Sequence, residues 1–145
     1  MPKQENELVV IEKTQELLVW SLKHIEKFPR THRHGLGLRI EERLSLILDL
    51  LIEAKFNRER LPLLQRCNLL LEQLRFQFRS AKDVRCLSID SYGSASRFVN
   101  EIGQNLGLWI KSVIRGDSHE TPRRTVGGTD QLSQPAESGP QGRPR

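Results

Sequence analysis

With 145 residues and 23 Lys/Arg against 18 Asp/Glu, the chain is long enough for one domain with a proper core plus a tail, and it needs no disulfides. Aromatics are few and Leu and Ile supply most of the apolar bulk, which points to an all-α protein. MPKQENEL lacks the basic-then-apolar pattern of a signal peptide, and the most apolar run, LSLILDLLI, is short and interrupted by Asp49; the expectation is a soluble cytoplasmic protein with no membrane segment.

The first helix is predicted over about Glu7 to Lys27, where Leu8, Ile11, Leu18, Leu22 and Ile25, with Gln15 completing the spacing, form a heptad-like stripe that packing alone explains. Pro29 disfavours helical geometry at Phe28 and ends it, and PRTHRHGLG reads as a loop. A second helix is expected from about Leu38 to Lys55. Ile40, Leu44, Ile47, Leu51 and Ala54 face its core, while Leu46, Leu50 and Ile52 widen the apolar surface.

The stretch from Arg58 to Arg85 carries a third, central helix, with Pro62 in its first turn and an end near Arg85 or Cys86. Leu64, Cys67, Leu71, Leu74, Phe78 and Ala81 form its seam. Arg75, Arg79 and Lys82 follow beside that seam at i, i+4 and i+7, and Arg85 extends the row. Leu69 and Phe76, seven residues apart, project away from the seam and suggest a subunit interface; two scattered surface hydrophobes are the alternative.

Ser88 is the predicted N-cap of a fourth helix, Ile89 to about Arg115, with Ala95, Val99, Ile102, Leu106, Trp109 and Val113 inward. Gly93, Gly103 and Gly107 each weaken such a helix by about 1 kcal/mol relative to Ala, which close approach of another helix would offset. Four helices with short connections imply an antiparallel up-down four-helix bundle over 1–115. Residues 116–145, rich in Pro, Gly, Ser and Gln, read as a disordered C-terminal tail.

Charge is unevenly placed. Residues 54–86 hold eight Lys/Arg against three Asp/Glu, whereas residues 1–53 hold eight against nine. That is how a polyanion-binding face looks, although charge placement by itself is explained more simply by a solvated, salt-bridged helix face. The candidate phosphate contacts are Arg75, Arg79, Lys82 and Arg85, with Arg58, Arg60 and Arg66 nearer the start of the helix.

Other chemistries find little support. No Glu-x-x-His pair occurs for a di-iron site, and His32 and His34 flank a cation without nearby acidic or thiolate ligands, so no metal or other cofactor is expected. Cys67 falls within the seam, where a thiol is inert, and Gly35-Leu36-Gly37 lacks the following Gly and Lys of a phosphate loop. Glu41 and Glu42, adjacent in sequence, point about 100° apart on a helix. The chain is read as no enzyme, with no catalytic residues and no base-reading motif.

HIEKFPRTHRHGLGLRIE (24–41), LLIEAKFNRERLPLLQRCNLLLEQLRF (50–76) and NEIGQNLGLWIKS (100–112) resemble the accessory variability determinant (Avd) proteins of diversity-generating retroelements. These belong to a wider four-helix-bundle family that includes proteins encoded in intervening sequences of bacterial 23S ribosomal RNA genes. The resemblance covers about residues 8–113. It implies the protomer of a barrel-like homopentamer with a basic surface, encoded by a bacterium or phage. Such an assembly binds RNA and DNA and associates with the element's reverse transcriptase during error-prone copying of a template repeat. Arg30 and Arg33, in the loop carrying the family motif, join the candidate contacts, though Arg30 could equally brace that loop. The tail from Gly116 is not part of the family pattern. A bundle that oligomerises and binds a protein partner, of the intervening-sequence type and with its basic helix merely solvated, is the alternative.

Overall fold

The computed structural model describes residues 2–116. The predicted tail therefore lies outside the described residues, apart from Gly116. Four long helices make up the fold: α1 (Pro2–Ile25), α2 (Leu38–Phe56), α3 (Leu61–Asp83) and α4 (Ile89–Ile114). Each packs on two neighbours in a closed ring, α1 on α2 and α4, and α3 on the same two.

Contacts across each junction run in opposite directions along the two helices, which makes the bundle antiparallel and up-down. Lys13 pairs with Glu101 while His24 lies beside Ser91; Arg75 bonds Asn100 while Lys82 lies over Tyr92. The seam of α3 is buried as predicted, as are the inward positions of α2 and of α4 through Trp109; Ser112 is buried where Val113 was expected.

In α1 the predicted stripe is buried only at Ile25. Glu7, Val10, Thr14, Leu17, Ser21 and Ile25 face the core, while Leu8 is 49% and Leu22 39% exposed and Ile11 and Leu18 are half-buried. The two stripes differ by about one residue, or 100° of rotation. Apolar bulk favours the outer stripe, but Thr14 and Ser21 are small enough to let neighbouring helices approach. Thr14 also satisfies its hydroxyl internally, donating to the Val10 carbonyl at 2.8 Å.

The connection from α1 to α2 is more ordered than the predicted loop. α1 ends at Ile25, and Phe28 folds under to close that end of the core. Pro29, extended at ψ 145°, precedes a single turn, Arg30–His32, which passes through a π-helical turn, Arg33–Gly37, straight into α2. Gly37 makes this possible: a Cβ there would lie 2.7 Å from Ile25 Cγ2.

α3 also stops early, at Asp83. Arg85 adopts φ 67°, its N–H bonds the Lys82 carbonyl at 3.0 Å, and the Cys86 N–H bonds the Ala81 carbonyl at 2.7 Å. This is a Schellman closure with arginine at the position glycine usually takes. Ser88 caps α4 as predicted, accepting from the Ser91 N–H at 3.0 Å. Of the three helical glycines, Gly103 sits against α3, with Leu71 and Arg75 at 3.7 and 3.5 Å from a would-be Cβ. Gly93 meets Arg97 of its own helix and Gly107 faces open space, so close approach within the bundle explains one glycine of the three.

Candidate nucleic-acid interface

The row predicted on α3 separates into engaged cations and cations without a side-chain partner among the described residues. Arg75 is half-buried and already engaged: its Nε donates to Glu72 Oε2 at 3.0 Å and its Nη1 to Asn100 Oδ1 at 2.7 Å. It braces α3 against α4, and the Glu72 carboxylate offsets its charge. Arg79, one turn on, is exposed and makes no side-chain hydrogen bond or ion pair among the described residues. Lys82 is partly engaged, with Nζ 3.5 Å from Asp83 Oδ1 and 5.0 Å from the centroid of the Tyr92 ring.

Arg85 does not extend the helical row. It stands beyond the end of α3 in the left-handed turn, exposed and with no side-chain partner among the described residues. Up-down topology places Arg30 and Arg33 at this same end of the bundle. Arg30 is exposed, whereas Arg33 is the residue that braces the connection, its Nη2 donating to the Phe28 carbonyl at 3.3 Å.

Arg58, Arg60 and Arg66 lie toward the opposite end. Arg60 Nε donates to the Asn57 carbonyl at 2.9 Å. Arg58 lines an open depression at the α2–α3 connection with Glu53, Phe56, Asn57 and Glu59, where carboxylates offset its charge. Arg66 is exposed. The nine cations thus do not form one continuous patch; the group with free charge is Arg79, Arg85 and Arg30, with Lys82 beside it.

Arg39 and Arg43 lie outside the set of cations predicted from the sequence. With Glu42, Leu46 and Leu70 they line a groove of about 310 Å³ between α2 and α3. Their i, i+4 spacing was visible in the sequence, but the neighbouring helix that turns a face into a groove was not.

Around Lys82 the end of the bundle is aromatic. Trp20 stacks on His24 with ring centroids 3.8 Å apart and meets Phe78 edge-on at 6.2 Å. His24 Nδ1 lies 2.9 Å from the Trp20 carbonyl, so that nitrogen carries the proton and donates. Cys67, buried in the seam, is held protonated: burial pushes its thiol up to about 12, against a smaller lowering effect of Arg66.

Among the described residues no group of His, Cys, Asp and Glu is placed to hold a metal ion, and no helix is long and apolar enough to cross a membrane. The candidate site is a set of exposed cations on a helical scaffold, whose guanidinium and ammonium groups have the chemistry to contact phosphate. Comparison with curated proteins gives no match. The bAvd-like family model matches residues 8–113, almost the whole bundle, and the chain belongs to that family.

Proposed function

We propose that this protein is a non-catalytic accessory subunit of a retroelement, which binds template-repeat RNA and DNA through phosphate contacts and associates with the element's reverse transcriptase as a homopentamer. The observation that carries the reading is the pair Arg79 and Arg85, two exposed guanidiniums without side-chain partners among the described residues at one end of α3, in a chain of the bAvd-like family. Arg30 and Lys82 add charge at the same end. Arg75 and Arg33 support the scaffold, and Arg58, Arg60 and Arg66 are secondary contacts. Repeating this modest patch around an oligomer multiplies avidity without new contacts.

The test is co-expression with the reverse transcriptase and template-repeat RNA of the element. The wild-type protein should copurify with both; Arg85→Glu, which lies off the α3 faces, should lose part of the RNA at unchanged oligomer size, and the Arg79→Glu/Arg85→Glu variant should lose it at unchanged thermal stability. Full RNA retention by that variant would remove this end of α3 from the interface. Absence of any RNA or polymerase association in the wild type would favour the protein-interaction alternative.

A further inference from the structure

The bundle buries one of two apolar stripes on α1. The outer one repeats every seven residues, Leu8–Gln15–Leu22 and Ile11–Leu18, the spacing that packs against another helix. Contacts of Glu7 with Lys55 and of Lys13 with Glu101 set the rotation of α1, so this stripe falls on the α2 side. Leu8, Val19 and Leu22 there remain well exposed, as does Ile52 of α2. A second unused apolar face lies on α3, where Leu69 and Phe76, 58% and 64% exposed, stand one heptad apart and opposite the buried seam.

The charges around these two faces match. Glu12 and Glu26, fourteen residues apart on and just past α1, bracket Leu18, Val19 and Leu22 over about 21 Å at the α-helical rise. Arg66 and Arg79, thirteen residues apart, bracket Leu69 and Phe76 over about 20 Å. All four are exposed and make no side-chain ion pair or hydrogen bond among the described residues. A two-fold contact of the α3 face with itself would set Arg66 against Arg79, and one of the α1 face with itself would set Glu12 against Glu26. Like charges disfavour both.

We infer that the α1 stripe of one copy docks on the Leu69–Phe76 face of the next, with Glu12 and Glu26 opposite the arginines that flank that face. Two different faces meeting make a heterologous contact, which closes into a ring when its rotation allows. The apolar residues supply the affinity and the charges supply register and direction. This rests on the self-association in the proposed function and adds which surfaces carry it; Arg66 passes from the nucleic-acid set to the subunit contact, and Arg79 stands at the boundary of both.

Sedimentation velocity on the full chain without nucleic acid tests the inference, using Leu22→Glu to break one face and Phe76→Glu to break the other. Both positions are exposed, and circular dichroism melts verify folding. The wild type should assemble beyond a dimer, each variant alone should be monomeric, and an equimolar mixture should form a heterodimer through the intact faces. Dimers of either variant alone, a monomeric wild type, or a mixture that stays monomeric would each overturn the inference. Arg66→Glu should weaken assembly, and Glu12→Arg or Glu26→Arg in the same chain, whichever carboxylate faces Arg66, should restore it; restoration by neither would overturn the charge pairing. Variants that dimerise alone, or a mixture that stays monomeric, would overturn the inference while leaving RNA and polymerase association untouched; a monomeric wild type would also contradict the homopentamer of the proposed function.

Discussion

Arg75 on α3 and Asn100 on α4 are joined by a 2.7 Å hydrogen bond, Nη1 to Oδ1, at the middle of the two helices. The same guanidinium holds Glu72, so one cation that seemed free in the sequence belongs to the scaffold. Charge-assisted hydrogen bonds contribute about 1.5–3 kcal/mol when sheltered. The Arg75 side chain is about one-third exposed, so solvent screening reduces this to about 1 kcal/mol. Arg75→Ala should lower the melting temperature by several degrees and show positive coupling with Asn100→Ala in a double-mutant cycle. Its effect on RNA affinity should be smaller than that of Arg79→Ala.

The rotation of α1 separates core from surface sharply. Leu17→Ala, at a fully buried position, should destabilise the bundle by about 2–5 kcal/mol. Leu8→Ala, at a half-exposed position, should change protomer stability by less than about 1 kcal/mol. Urea unfolding at a dilution where the chain is monomeric measures both, and a reversed ranking would mean that the heptad stripe faces the core.

Arg85 couples stability and binding with opposite signs. A non-glycine residue in the left-handed region carries about 1–2 kcal/mol of strain, so Arg85→Gly should raise stability by about 1 kcal/mol. The same change removes an exposed cation and should weaken RNA binding. Thermal melts and binding measured on one preparation would reveal the divergence.

Cys67 makes the fold sensitive to alkali. Its folded-state pKa is raised from 9.0 to about 12, so the folded protein prefers the neutral thiol. That preference is fully present below pH 9 and is lost as pH rises from 9 toward 12. Wild type should lose stability across that window faster than Cys67→Ala, as read by denaturant midpoints. At neutral pH a thiol reagent should modify the half-buried Cys86 first and reach Cys67 on unfolding.

Much of the bundle was legible because the periodicities of α2, α3 and α4 each have one dominant apolar face. α1 was misjudged because two stripes compete, and the buried one contains Thr14 and Ser21, whose merit is size rather than hydropathy. The seam of α3 could be read from spacing, yet the state of its cations could not. Whether Arg75 is free depends on Asn100, twenty-five residues away on another helix, and whether Arg85 is on the helix depends on where the chain reverses. Local sequence gives the positions of charges, and tertiary neighbours decide which remain available.

The most direct test of the polyanion-binding reading is fluorescence anisotropy with labelled RNA and duplex DNA across a salt series, comparing wild type with Arg79→Glu/Arg85→Glu. If about five phosphates are neutralised per binding event, log affinity should fall with log salt at a slope near −4.5 on duplex DNA and less steeply on single strands, and the variant's slope should be shallower by about 2. Equal slopes for the two proteins, or negligible binding by the wild type at low salt, would contradict it.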